Sequence, residues 1–155
     1  MCRDEGMAVV PWGALGSGKF KTEAQRRSAS KEGHYGEATE QQIAVSKTLE
    51  AIAERKGTLI TSIAQAYVAS KAPYVFPIVG CRTLEHLKGN IEALGIRLSE
   101  EEIREIEDVV PFDLRFPGNF FYGGNNVPAE PGRVWTMAMG GTIDHVPEPK
   151  PLSRA

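Results

Sequence analysis

Two cysteines in 155 residues, Cys2 and Cys81, leave little for sulfur chemistry to do. They lack metal-type spacing, and the expected state is two free thiols in a cytosolic protein. No excess of one charge exists either: 18 Lys and Arg stand against 20 Asp and Glu, a net charge of −2. That excludes the broad basic field of a nucleic-acid binder. No run approaches the roughly 18 apolar residues of a membrane span. The opening Met-Cys-Arg-Asp-Glu-Gly lacks a signal peptide's apolar centre. No internal repeat is visible. What remains is a chain long enough for a domain with a real core.

The informative stretch runs from Val75 to Asn90. Val75, Phe76, Ile78 and Val79 form an apolar run of strand length, expected to be buried. Gly80 allows a close backbone approach or a positive φ. Thr83 is placed to cap a helix whose Leu84, Leu87, Ile91 and Leu94 fall on one face, expected to be the packed one. The helix N-terminus, with Arg82 beside it, suits a phosphate. A strand–Gly–helix junction is also the ordinary form of a βα turn, and the local chemistry admits both readings.

Met7 to Pro11 reads as a second short buried strand, followed by the glycine-dense Trp12-Gly13-Ala14-Leu15-Gly16-Ser17-Gly18-Lys19. Gly13, Gly18 and Lys19 match a P-loop except at its last position. Phe20 stands where Mg²⁺ needs a hydroxyl, and the polar residues after it do not make a P-loop's apolar helix. From Lys21 to Ala38 the chain is polar and reads as a loop, with the form of a lid. His34 and Tyr35 look like a catalytic pair, but in a polar loop the plainer reading is solvated side chains.

Thr39 and Gln42 form a capping box for a helix to Lys56, with Val45, Leu49, Ile52 and Ala53 inward and Gly57 as its stop. Ile60, Ile63, Ala64, Tyr67 and Val68 mark a second helix, ended by Pro73. Tyr67 lies on its packed face and reads as a core aromatic. Gly95 can stop the helix after Thr83. Ser99 with Glu102 caps another helix, whose Leu98 and Ile103 can form a hydrophobic staple. Its many carboxylates, Glu100 to Glu102, Glu105, Glu107 and Asp108, read as a solvated face rather than a metal site. Seven of the ten prolines lie from Pro111 onward. They end the regular structure and exclude long helices there, while Phe112, Phe116, Phe120, Phe121 and Tyr122 argue for packing of residues 111–122 on the domain.

Pro77-Ile78-Val79-Gly80 with Arg82, His86 and Asn90 resembles the C-terminal signature of the aldo/keto reductases. Trp12-Gly13-Ala14-Leu15-Gly16-Ser17-Gly18 resembles the seventh strand and loop of the same family. Val109 to Asp113 and Phe116 to Phe120 are similar to its fungal aryl-alcohol dehydrogenase branch. The family folds as a (β/α)8 barrel and reduces carbonyls by hydride transfer from NADPH. The resemblance implies an α/β fold: the last two βα units of a TIM barrel plus a C-terminal helix and tail, incomplete as a barrel. It implies a domain over residues 1–122 and a Pro/Gly-rich tail over 123–155. It implies stacking of Trp12 on the nicotinamide, and a pyrophosphate passage along Gly13, Leu15, Gly16 and Ser17, with Lys19 facing a phosphate. Gly80 would lie near the phosphate, Arg82 would bind the 2′-phosphate, and His86 and Asn90 would contact the adenosine end. Many relatives carry Gln at the place of His86.

The family's proton chemistry rests on a Tyr, a Lys, an Asp and a His. The resemblance assigns none of them to a residue of this sequence, so no catalytic residue is expected here. The substrate implied is a small carbonyl or alcohol, with no metal, nucleic acid or membrane. Two strands cannot close a barrel, so open strand edges invite self-association or pairing with a partner. The expectation is a remnant or fragment, inactive alone. A non-catalytic partner of a full-length relative is the alternative.

Overall fold

The computed structural model describes residues 1–2, 5–28, 37–125, 127 and 131–142. His34 and Tyr35, with the rest of residues 29–36, and the chain after residue 142 lie outside the described residues. The chain divides into two compact units, one over residues 1–110 and one over 111–149.

Helices dominate the first unit. In chain order these are α1 (Glu23–Arg27), α2 (Glu40–Lys56), α3 (Ile60–Ser70), α4 (Leu84–Ala93) and α5 (Glu100–Glu107). Their ends follow local chemistry. Thr39 and Gln42 close a reciprocal capping box on α2, and Gly57 ends it at φ 64°. Ser99 and Glu102 repeat the box on α5. Thr83 Oγ1 accepts the His86 N–H at 3.2 Å to start α4. The polar segment read as loop contains α1, started by a third capping box between Thr22 and Gln25.

The core is helix on helix. Leu49, Ile52 and Ala53 of α2 meet Ile60, Ile63 and Ala64 of α3 and Ile106 of α5. Each fully buried aliphatic side chain is worth about 1.5–3 kcal/mol over its exposed state. Phe20, Val45, Tyr67, Ile96 and Leu98 pack on the rim. Tyr67 is thus the core aromatic expected, and its hydroxyl donates to Glu107 at 3.2 Å. The α5 carboxylates are not merely solvated. Glu102 pairs with Lys56 at 3.0 Å and Glu105 with Arg55 at 2.6 Å, while Glu107 pairs with Lys71. Three of them tie α5 to its neighbours.

The expectation of two buried strands needs correction. Among the described residues no strand forms; the α/β character reduces to one parallel bridge, Val9 with Val75. Three hydrogen bonds carry it: Val9 N–H to Tyr74 C=O at 3.0 Å, Phe76 N–H to Val9 C=O at 2.9 Å, and Ile78 N–H to Pro11 C=O at 3.0 Å. The two predicted strands are therefore partners, in parallel, but they are not buried: Val9, Val10, Phe76 and Ile78 are all exposed. Pro11 and Pro77 each remove a donor from this short ladder. A parallel sheet is stable when helices cover both faces, and here the helices pack on each other instead.

The orientation of α4 is a second correction. Its apolar face is exposed, with Leu84 at 66% and Ile91 at 60%. The buried residues are Gly89, Asn90 and Ala93, which face α3. Gly89 permits that approach, since a Cβ there would stand 2.7 Å from Leu59 Cδ1. Ser62 Oγ donates to the Gly89 carbonyl at 3.0 Å across the junction.

The second unit contains α6 (Arg115–Tyr122) and α7 (Trp135–Ala138). Both are short, yet regular structure does not end at Pro111. Phe120 meets Trp135 edge-on at 5.8 Å, and the indole N–H donates to the Phe120 carbonyl at 3.2 Å. Phe121 stands against the Phe120 ring at 5.7 Å.

Candidate functional site

Parallel pairing fixes where the two candidate loops begin. Val9 lies beside Val75 and Pro11 beside Ile78, so both chains run the same way. Trp12 follows the end of one segment and Gly80 the end of the other. Both loops leave from the same, C-terminal end of the pair. That is the end where ligands sit in parallel α/β architectures.

The first loop builds a concavity of about 450 Å³ lined by Trp12, Gly13, Gly16, Ser17, Lys19 and Gln42. The volume lies in the range of small-molecule sites. Left-handed backbone shapes the loop: Gly13 at φ 78°, Gly16 at 61°, Ser17 at 53° and Gly18 at 78°. Glycine tolerates that region freely, whereas Ser17 is a strained exception. Turn bonds from Gly16 N–H to Gly13 C=O at 2.9 Å and from Lys19 N–H to Gly16 C=O at 3.0 Å hold the curve. A Cβ on Gly16 would stand 2.8 Å from the Phe20 ring. Phe20 therefore anchors the loop to the core rather than serving a metal, and α1 after it buries no residue. Both features depart from a P-loop.

Six of the predicted contacts lie on this loop, Lys19 among those that line the concavity. Trp12 offers its ring to solvent, 72% exposed. Gly13, Gly16 and Ser17 line the concavity, and Leu15 is half-buried beside it in sequence without lining it. The second group lies outside the concavity's lining. Gly80, Arg82 and His86 are exposed on the approach to α4 and its first turn. Asn90 is 8% exposed, on the face of α4 turned to α3. A Cβ at Gly80 would meet nothing within 4 Å, so its backbone is open to approach.

Sequence reasoning missed Gln42 as a lining residue. It served there only as a capping partner, and no motif marks a capping glutamine as part of a site. Among the described residues no group of His, Cys, Asp and Glu could hold a metal ion. No helix among them is long and apolar enough to cross a membrane.

The profile of the aldo/keto reductase family matches residues 1–111. The chain belongs to the aldo/keto reductase family. It is 44% identical to a norsolorinic acid reductase of Aspergillus flavus over 98% of this chain and 40% of that protein. It is 40% identical to an aryl-alcohol dehydrogenase of Pestalotiopsis microspora, over 98% of this chain and 39% of the relative. A putative aryl-alcohol dehydrogenase of Saccharomyces cerevisiae is 44% identical over 77% of this chain and 84% of its own length. The crystal structure of a thermostable aldo-keto reductase with the inhibitor epalrestat superposes with a TM-score of 0.48 at 29% identity, covering 70% of this chain and 31% of the other. The chain thus spans about 40% of the length of the norsolorinic acid reductases it matches.

Proposed function

We propose that this chain supplies the cofactor-binding part of an NADP-dependent oxidoreductase that interconverts a carbonyl and an alcohol, on an aromatic or polyketide substrate. The observation that carries the reading is the parallel register of Val9 and Val75, which starts both candidate loops at one end of the pair. The residues present fit such a cofactor. A flat exposed indole, Trp12, stands at a concavity bordered by glycines and a lysine. Arg82 precedes the capped N-terminus of α4, where a guanidinium can grip a phosphate bidentately. Bound NADPH would supply the hydride; Trp12 would hold the nicotinamide, Gly13, Leu15, Gly16 and Ser17 the pyrophosphate, and Gly80, Arg82, His86 and Asn90 the adenosine 2′-phosphate end. No residue of this chain is assigned to proton transfer, so turnover by the chain alone is not expected. Two free cysteines fit a cytoplasmic setting.

Calorimetric titration with NADPH and NADH tests the reading. The expected result is NADPH binding at least about tenfold tighter than NADH, with the preference abolished in Arg82→Ala. Equal affinities, or a preference that survives Arg82→Ala, contradict it.

A second reading rests on a separate observation. The exposed Val10, Phe76, Ile78, Leu84 and Ile91 are apolar surface of the kind that marks association. On this reading the chain is a non-catalytic partner of a longer relative. Sedimentation of the chain alone and with such a relative distinguishes the two: a complex supports the second reading, and a lone monomer removes it.

A further inference from the structure

The capping glutamine of α2 holds two positions at once. Its Oε1 accepts the Thr39 N–H at 2.9 Å, while its own backbone N–H reaches Thr39 Oγ1 at 3.2 Å. The same residue lines the concavity with Trp12, Gly13, Gly16, Ser17 and Lys19. The capping bond decides which way the amide points. A backbone N–H needs an acceptor, so the oxygen must face Thr39 and the NH₂ group must face away from it. Among the described residues that NH₂ has no hydrogen-bond partner. Gln42 is half-buried, and the Ser46 hydroxyl holds its carbonyl at 2.7 Å, which fixes its backbone.

We propose that Gln42 is a ligand contact, donating its side-chain N–H groups to a phosphate or diphosphate oxygen held in this concavity together with Lys19. The inference rests on the cofactor reading and extends it to a residue on a different element from the glycine loop. The donor is preorganised, because the capping box has already spent the side chain's rotamer freedom. Lys19 supplies the charge and Gln42 the direction. One amide then bridges the cap of α2 and the ligand.

The capping role and the contact role separate cleanly by substitution. Glutamate at the same position of a capping box accepts the same N–H and suits the helix dipole. Gln42→Glu therefore keeps the cap but replaces the donor with a negative charge. Gln42→Met keeps the bulk and loses both. The probes are NADPH and inorganic pyrophosphate, read by the fluorescence of Trp12 in the full chain, with Trp12→Phe as the blank. Gln42→Glu is expected to melt at or above the wild-type temperature and to bind both probes at least about tenfold more weakly. Gln42→Met is expected to weaken both severalfold.

Unchanged affinity in Gln42→Met overturns the inference even if Gln42→Glu binds poorly, because repulsion alone then explains the loss. Wild-type binding of both probes with neither variant affected also overturns it and leaves the cofactor reading standing. Pyrophosphate binding that depends on Gln42, without NADPH binding, supports the contact and contradicts the cofactor reading. A wild-type chain that binds neither probe overturns both.

Discussion

The side-chain amide nitrogen of Gln65 lies 3.2 Å from the backbone carbonyl oxygen of Asn90, inside the α3–α4 junction. One turn away Ser62 holds the carbonyl of Gly89. Two successive carbonyls of the helix that carries Arg82 at its entrance are therefore fixed by two side chains of the preceding helix. Gln65 is 4% exposed, and its Oε1 has no partner.

Gln65→Ala is expected to cost about 1–3 kcal/mol, because a buried tie is lost and a cavity opens. Urea unfolding followed by far-ultraviolet circular dichroism measures it. Gln65→Leu should cost less, since both variants lose the bond and the unpaired oxygen but leucine leaves the smaller cavity. A loss below about 0.5 kcal/mol in Gln65→Ala contradicts the assigned bond.

The glycines divide by mechanism. Gly57 sits at φ 64° with nothing within 4 Å of an added Cβ. Gly57→Ala should cost only the left-handed backbone term, about 1–2 kcal/mol. Gly16 shares the positive φ, and a Cβ added there would also stand 2.8 Å from the Phe20 ring. Gly16→Ala should cost more, and Phe20→Leu should relieve part of the excess. Equal costs at the two positions contradict the close approach of loop and ring.

Acid and base should loosen the first unit at different ties. Burial alone raises the Glu102 carboxyl, but the Ser99 N–H, Lys56 and Arg55 outweigh it and bring it below its ordinary 4.5. A lowered carboxyl stabilises fully above its unfolded value and loses that contribution as pH falls through the folded one. Gln at position 102 should therefore flatten the decline of stability below pH 4.5. Tyr67 behaves oppositely. Burial, aided by the Glu107 charge and hydrogen bond, pushes it up to about 12 from 10.0. Its contribution is complete below pH 10 and fades as pH rises toward 12, and Tyr67→Phe should remove that slope. Melting curves across both ranges check the two signs.

Local chemistry was legible in the sequence. The boxes at Thr39–Gln42 and Ser99–Glu102, the cap at Thr83 and the left-handed Gly57 all depend on residues within four positions of one another. The same signal at Thr22 and Gln25 could have found α1, which the polar composition hid. The covering of each apolar face was not legible. Periodicity says that Leu84, Leu87, Ile91 and Leu94 share a face of α4; it does not say that anything packs on it. The small and polar face, with Gly89 and Asn90, took the contact instead because Ser62 and Gln65 bond to it. The same holds for Phe76 and Ile78, whose apolar run predicted burial and whose neighbours leave them exposed. For the candidate site, the glycine loop was readable as a curve, but Gln42 joins it only through the tertiary approach of α2.

Hydrogen exchange on the full chain, with and without saturating NADPH, tests the central claim most directly. If the two loops form one cradle, amides of residues 12–19 and of 80–90 gain protection together, and Arg82→Ala weakens both. Protection confined to one segment, or absent from both, contradicts a shared cofactor site built on the Val9–Val75 register.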